Sequence, residues 1–306
     1  MDFGMPFLLE TQTIEDAAAL CRELGLSFVE LNLNFPQCGL GHMSAGRLNA
    51  LKRKYGVYFT IHLDENLNVC DFNPLVSGAY LQTVRDCVRL GLAIGAPIIN
   101  MHLHKGIYIT LPDRRTYLFA QYEREYTQGI LSLIRLCEGV IGGGPLLVAV
   151  ENTDGFAAHE KTAVERLLQS PVFALTLDVG HSHAVGDIDL PFYGRHEGKL
   201  RHIHLHDASG KSNHLPLGTG QPASSTLVLC AHHLCVDMHS CLLYTSPAAH
   251  DIVLAQAEVS QVSAARENLA LRRKRAQQGE KGDEGLPIVS TFILPKSIST
   301  SRYFSH

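Results

Sequence analysis

The chain has 306 residues, enough for one large domain or two small ones. Apolar residues make up 45% and charged residues 18%, an ordinary globular balance, and a net charge of −4 provides no strongly basic field for nonspecific nucleic-acid binding. The N-terminus lacks a basic segment followed by a long apolar run, and no apolar stretch approaches the ~18 to 20 residues of a membrane span. Because the eight cysteines are scattered without a CxxC pair, we expect free thiols and a cytoplasmic protein.

Strand-like and helix-like segments alternate through most of the chain. A weak strand near residues 4–8 precedes β-rich runs at 27–34, 57–63, 96–104, 145–152, 172–181 and 200–207. Helical spacing of apolar positions marks 13–25, 45–56, 78–95, 116–140 and 161–170. Such repeated units predict a parallel α/β sheet, and near-continuous apolar strands indicate that both of its faces are buried.

Seven βα units are present up to about residue 205, and a (β/α)8 TIM barrel requires one more. A doubly wound open sheet is the alternative, but no glycine-rich phosphate loop follows the first strand. The residues after Gly220 break the pattern. The run at 226–230 is strand-like but ends in Cys230, and 251–278 suits an amphipathic, then basic, helix. We therefore expect a barrel over residues 1–220 whose eighth βα unit is missing or aberrant. An atypical, poorly ordered extension, such as an out-of-frame or fused piece, would occupy 221–306.

Polar residues end six of the predicted strands in succession. They are Glu30 and Asn32, His62 with Asp64 and Glu65, His102 and His104, Glu151 and Asn152, Asp178 and His181, and His204 with Asp207. Catalytic groups of such barrels come from the carboxyl ends of the strands, so we expect a shared site on one face.

Glu151, Asp178 and His204 form a hard, mixed oxygen and nitrogen donor set that suits Mn, Mg, Co or Zn. For any one of these residues, the alternative to metal binding is a structural role, in which buried carboxylates pair with Arg or His. His62 and His102 could clasp a second cation or bind substrate hydroxyls, although an ordinary polar rim fits them equally well.

Other histidines follow or flank these strand ends. His202 precedes His204 on the same face, nearer the barrel interior, whereas His206 and His183 suit packing or supporting hydrogen bonds. His214 precedes the glycine-containing loop at 218–220, whose backbone N–H groups could hold an anion such as a sugar phosphate, although a plain turn is the simpler interpretation.

Four motifs in this order, VAVENTDGF, LTLDVGHSH, HIHLHD and NHLPLGTG, resemble the xylose isomerase-like TIM barrels over about residues 5–220. That superfamily contains sugar and sugar-phosphate isomerases and epimerases, and also the endonuclease IV family of AP endonucleases. The resemblance to the isomerases implies one divalent cation held by Glu151, Asp178 and His204 with a last-strand glutamate. Glu151 would move a proton through an enediolate while His181 binds the substrate. We expect a metal-dependent isomerase or epimerase of a sugar or sugar phosphate.

The endonuclease IV resemblance implies three zinc ions and is the alternative function, a phosphodiesterase acting on abasic DNA. His62, His102 and Glu151 would hold the first ion, Glu151, Asp178 and His204 the second, and His181 and His214 would help to hold the third. Ser212 stands where that branch has an aspartate, which counts against the third site.

A further alternative is a non-catalytic barrel, because no last-strand glutamate is found. The expected partner is a small sugar or sugar phosphate, with no membrane and with nucleic acid only under the nuclease alternative. The identity of the sugar stays open, as does the oligomeric state, with which a homo-oligomer is compatible.

Overall fold

A computed structural model describes residues 2–215 and the backbone of residues 241–244. The strands are β1 (Asp2–Pro6), β2 (Phe28–Asn32), β3 (Tyr58–His62), β4 (Ile98–His102), β5 (Tyr108–Thr110), β6 (Arg115–Tyr117), β7 (Leu147–Glu151), β8 (Phe173–Asp178), β9 (Leu200–Leu205), β10 (Asp207–Ser209), β11 (Ser212–Leu215) and β12 (Cys241–Tyr244). Eight of them form a closed barrel in the order β1-β12-β9-β8-β7-β4-β3-β2, and neighbouring strands are parallel. The chain is therefore an α/β TIM barrel, and the open-sheet alternative is wrong.

Helices connect the barrel strands. They are α1 (Ile14–Glu23), α2 (Ala45–Tyr55), α3 (Pro74–Ile94), α4 (Leu118–Gln121), α5 (Glu123–Ile141), α6 (Ala158–Leu168), α7 (Val179–Ala184) and α8 (Leu190–Arg195). Capping residues in the sequence explain where these helices begin and end. The Thr13 hydroxyl accepts a hydrogen bond from the Asp16 N–H at the start of α1, and Gly56 ends α2 in the left-handed conformation, at a φ of 68°.

The predicted strands and helices are largely confirmed, with two differences. The segment 116–140 contains β6, α4 and α5 instead of one helix, because Tyr122 adopts a non-helical conformation between the two helices. The strand expected over 172–181 ends at Asp178, since the Asp178 carboxylate accepts the His181 N–H and caps α7.

The eighth barrel strand is present but aberrant, which decides between the two expectations for the eighth βα unit, that it is missing or that it is aberrant. β12 consists of only four residues, Cys241–Tyr244, and pairs in parallel with both β9 and β1. Its sequence, CLLY, is too short to stand out as a strand and carries no acidic residue. The strand-like run at 226–230, the helix expected at 251–278 and the rest of the predicted C-terminal extension lie outside the described residues.

The hydrophobic core lies inside the barrel and between the barrel and its helices. Every residue of β8 is buried, as expected for a parallel strand that is covered on both faces. Two antiparallel hairpins, β5–β6 and β10–β11, lie outside the barrel sheet. Within the described part of the chain, five cysteines are free and buried, namely Cys21, Cys38, Cys70, Cys87 and Cys137. None of the helices described there has the length and apolar character needed to cross a membrane.

Candidate metal centre

The carboxyl ends of the barrel strands bring the predicted polar residues together. In the strand register, His102 of β4 lies opposite Glu151 of β7, and Asp178 of β8 lies opposite His204 of β9. Asn32 of β2 likewise pairs with His62 of β3. These residues therefore share one end of the barrel, as the pattern of strand ends predicts.

Glu151 lies at the middle of this group and is 1% exposed. Its Oε1 atom is 3.0 Å from Nδ1 of His204, and its Oε2 atom is 3.3 Å from Nε2 of His102 and 3.4 Å from Nε2 of His62. The side-chain amide of Asn100 also donates a hydrogen bond to Oε2. One carboxylate thus contacts imidazoles from three different strands.

Asp178 is equally buried and is held from several sides. Its Oδ1 atom accepts the backbone N–H of His181 at 2.7 Å, and Nε2 of His206 lies 2.9 Å from Oδ1 and 3.0 Å from Oδ2. The side chain of Asn152 accepts the Asp178 N–H and donates to the Asp178 carbonyl. These contacts fix the carboxylate with one oxygen 3.7 Å from His204 Nδ1.

His206 packs so closely against the start of α7 that residue 180 must be glycine. A Cβ at Gly180 would lie 2.0 Å from Nδ1 of His206. The same nitrogen accepts the backbone N–H of His214 at 2.8 Å. His206 therefore links Asp178 to the β10–β11 hairpin.

His181 and His214 face each other at the rim of the site. Their Nε2 atoms are 3.2 Å apart, and His214 adopts a positive φ of 56°, which is uncommon for a residue with a side chain. Ser212, the residue that replaces the aspartate expected in the endonuclease IV pattern, is exposed on β11. The imidazoles of His181, His206 and His214 still come close enough to offer a three-nitrogen donor set.

The buried ionisable groups strongly shift one another's pKa values. Burial alone would raise the pKa of Glu151, but the positive charges of His204 and His102 outweigh it and hold this pKa well below the ordinary value. Conversely, burial would lower the pKa of His204, but the carboxylates of Glu151 and Glu30 raise it well above the usual range. The neighbouring carboxylates therefore favour the protonated form of His204.

The donor atoms fit a divalent cation. Glu151, Asp178 and His204 each offer one atom within 4.8 Å of the others, as do His62, His102 and Glu151. Nε2 of His102 is buried and makes no hydrogen bond within the described residues. Buried imidazole nitrogens beside carboxylates are ligands typical of zinc and related metals, so the residues present suit such an ion.

A cavity of about 570 Å³ opens over this cluster. Glu30, His62, His102, Glu151, His181, His204 and His214 contribute to its wall, together with Phe7, Leu8, Leu9 and Phe35. Among the described residues that line it, none is lysine or arginine. The volume lies in the range of small-molecule sites.

All of the predicted site residues therefore lie in or beside one cavity. Sequence reasoning did not assign a role to Asn100, which sits inside an apolar strand, or to Glu30, which was noted only as a strand end. Glu30 contacts His202 and His204 across the barrel interior, between strands that are not neighbours. The position of Glu30 at a strand end was the one available signal.

A family model described as xylose isomerase-like TIM barrel matches residues 9–228. The chain belongs to this family. As an expected feature of a xylose isomerase-like barrel, the polar cluster lies at the carboxyl ends of the strands. No curated protein matches the chain.

Solved structures share the fold of this xylose isomerase-like barrel at low identity. A D-tagatose 3-epimerase-like protein is 18% identical, with a TM-score of 0.70, and the match covers 88% of this chain and 100% of that one. The IolI protein with a bound zinc atom is 11% identical, with a TM-score of 0.67 and coverages of 86% and 98%. Endonuclease IV from Thermus thermophilus is 17% identical, with a TM-score of 0.62 and coverages of 85% and 100%.

Proposed function

We propose that the protein is a divalent-metal-dependent isomerase or epimerase of a sugar or sugar phosphate. The observation that carries the proposal is the buried set of Glu151, Asp178 and His204, of which Glu151 and His204 line a cavity of about 570 Å³. The family membership and the similarity to an epimerase-like structure support the same reaction class. The buried free thiols support a reducing, cytoplasmic location.

Glu151, Asp178 and His204 would hold the ion, which would be Mn, Mg, Co or Zn. When bound, such an ion stabilises negative charge that develops on neighbouring sugar oxygens. Glu151 is the carboxylate proposed to accept a proton from a sugar carbon, because it is buried and its side chain lines the cavity.

His181 is the residue proposed to orient the substrate. Its ring lines the cavity, and its Nδ1 atom lies 3.1 Å from the carbonyl of Asn152, which favours a proton on Nδ1. Nε2 then faces Nε2 of His214 at 3.2 Å, and a sugar hydroxyl that replaces this contact can donate a hydrogen bond to it. The apolar side chains of Phe7, Leu8 and Phe35 on the cavity wall would help to exclude water.

The cavity wall favours an uncharged sugar over a phosphorylated one. Lysine and arginine are the usual partners of phosphate, and neither lines the described part of the wall, where Glu10 and Glu65 add negative charge. The glycine-containing loop at 218–220, predicted as an anion holder, lies outside the described residues. Parallel assays with free sugars and their phosphates separate the two substrate classes.

A zinc-dependent AP endonuclease is the second candidate function. The set of His62, His102 and Glu151 favours it, because a second donor group adjoins the first and shares Glu151 with it. Ser212 and the lack of basic residues on the described cavity wall count against it. A barrel that binds a ligand without turnover is a third candidate, because β12 carries no carboxylate.

The test is an activity screen of the metal-loaded chain against ketoses, ketose phosphates and an abasic DNA duplex. We expect turnover of a ketose that is lost in Glu151→Gln and retained in Glu160→Gln, which alters a buried glutamate on α6 away from the cavity. DNA nicking without sugar turnover would replace the proposal by the nuclease. Metal binding with neither activity would support the non-catalytic barrel.

A further inference from the structure

Glu30 is a buried carboxylate to which the proposed reaction gives no role. It lies on β2, is 2% exposed and contacts donors from two other strands. Its Oε2 atom accepts the Thr60 hydroxyl at 3.1 Å and lies 3.1 Å from Nε2 of His202. Its Oε1 atom lies 3.2 Å from Nε2 of His204. Three groups therefore surround one buried negative charge.

His204 presents its two nitrogens to different sides. Nδ1 faces Glu151 and Asp178, at 3.0 Å and 3.7 Å, and Nε2 faces Glu30. An ionised carboxylate only accepts hydrogen bonds, and both nitrogens of His204 face one, because Nδ1 forms a hydrogen bond with Glu151 and Nε2 lies beside Glu30. If a cation takes the place of the proton on Nδ1, the proton that remains lies on Nε2, beside Glu30. The lone pair of Nδ1 is then directed toward Glu151 and Asp178, where a cation would need it.

We propose that Glu30 is a positioning residue that sets the tautomer and the ring orientation of His204 for metal binding. The inference rests on the metal centre proposed above. Carboxylates that accept the second N–H of a metal-bound imidazole raise its basicity and hold its ring. Thr60 and His202 hold the Glu30 carboxylate in turn, because both contact its other oxygen.

A different role for Glu30 is also conceivable in chemical terms, since Glu30, His202 and His204 form a donor group themselves. In that arrangement, Glu30 would be a ligand of a separate ion. The positioning role fits better because Oε2 of Glu30 is already engaged by Thr60 and His202. The two roles differ in the number of ions that the chain loses when Glu30 is changed.

The test compares Glu30→Gln with the unaltered full-length chain and with Glu160→Gln, a matched change of a buried glutamate outside the cavity. Zinc affinity is measured by competition with a chromophoric chelator, and the cobalt-loaded proteins are compared by visible spectroscopy. We expect Glu30→Gln to weaken zinc binding by about 10- to 100-fold while its stoichiometry at saturation stays unchanged. Glu160→Gln should bind zinc as the unaltered chain does.

Unchanged zinc affinity in Glu30→Gln would overturn the positioning role, and so would the loss of one whole ion at saturation. Histidine nitrogen NMR of the unaltered, zinc-loaded chain gives a second test that does not depend on the folding of a variant. We expect His204 to retain its proton on Nε2, and a proton on Nδ1 would contradict the proposal.

The outcomes also separate this inference from the proposed metal centre. Normal zinc binding that disappears in His204→Ala but is unaffected in Glu30→Gln would refute only the role of Glu30. An unaltered chain that binds no zinc, manganese or cobalt would refute the metal centre, and the role of Glu30 with it.

Discussion

Strands β7, β8 and β9 lie in the same barrel as β12, but the two regions differ in what they contribute. Glu151, Asp178 and His204 each come from one of the first three strands and meet in one buried cluster. β12 consists of apolar residues, a cysteine and a tyrosine, and its backbone closes the barrel against β9 and β1. Strand pairing needs only compatible backbone, whereas the chemistry depends on single residues at the strand ends. A closed barrel can therefore coexist with an incomplete ligand set.

The largest effect is expected from removing ligands from the three contributing strands. Asp178→Ala and Glu151→Ala should weaken zinc or manganese binding by at least about 100-fold, because each removes a charged donor from the cluster. His102→Ala should retain the ion, since His102 belongs only to the neighbouring donor group. Metal content after dialysis measures all three variants.

The reverse pattern would contradict this assignment. If His102→Ala lost the ion while Asp178→Ala kept it, the metal would belong to the group of His62, His102 and Glu151. That outcome would favour the nuclease alternative.

A carboxylate introduced into β12 would remove the difference between the two regions. Neighbouring residues of a strand point to opposite faces, so only one of Leu243→Glu and Tyr244→Glu can place a carboxylate beside the cluster. Leu243 pairs with His204 in the register, which favours position 243. We expect metal binding to tighten by about tenfold in that variant, as measured by chelator competition, in line with the effect of completing a ligand set.

The variant on the opposite face serves as the control and should bind metal no better than the unaltered chain. Equal affinities in both variants would show that β12 does not reach the cluster. The difference in side chains between β12 and the other three strands would then have no effect on metal binding.

Glu160 is a buried carboxyl group that lies outside the metal centre, so its pKa can be compared with that of Glu151. Histidines lower the pKa of Glu151, whereas burial raises the pKa of Glu160 to about 7. The folded state therefore binds a proton more tightly than the unfolded state, and stability should fall as pH rises from the unfolded value near 4.5 to about 7. Glu160→Gln should be more stable than the unaltered chain at pH 8, by on the order of 2 kcal/mol.

Denaturant unfolding at pH 5 and pH 8 measures this effect. The difference between Glu160→Gln and the unaltered chain should be larger at pH 8 than at pH 5. A difference that does not change with pH would contradict the raised pKa of Glu160.

The smallest effect is expected at His214, beyond β9. Its positive φ of 56° strains any residue with a Cβ atom, so His214→Gly should be more stable than His214→Ala by about 1 kcal/mol, although both remove the imidazole. Thermal unfolding of the two variants measures the difference. A more stable alanine variant would mean that residue 214 does not adopt this conformation in solution.

Much of this architecture could be predicted from local patterns. Alternating apolar runs and helical periodicity predict the βα units, and polar residues at six successive strand ends predict the cluster of Glu151, Asp178 and His204. The parallel arrangement brings these ends together, so their separation along the chain does not matter.

Other features depend on contacts that no local pattern reveals. Glu30 meets His202 across the barrel, 172 residues away in sequence and between strands that are not neighbours. Asn100 reaches Glu151 from within an apolar strand, and its sequence context indicates only burial. β12 could not be predicted because it has only four residues and lacks the charged or histidine residue that ends the other site-forming strands.

The metal content of the purified, unaltered chain tests the central claim most directly. Elemental analysis after loading with zinc, manganese or cobalt should find about one ion per chain, and His204→Ala should reduce that value to background. Two or three zinc ions per chain would contradict the single-ion centre and favour the nuclease. No bound metal would contradict the account as a whole.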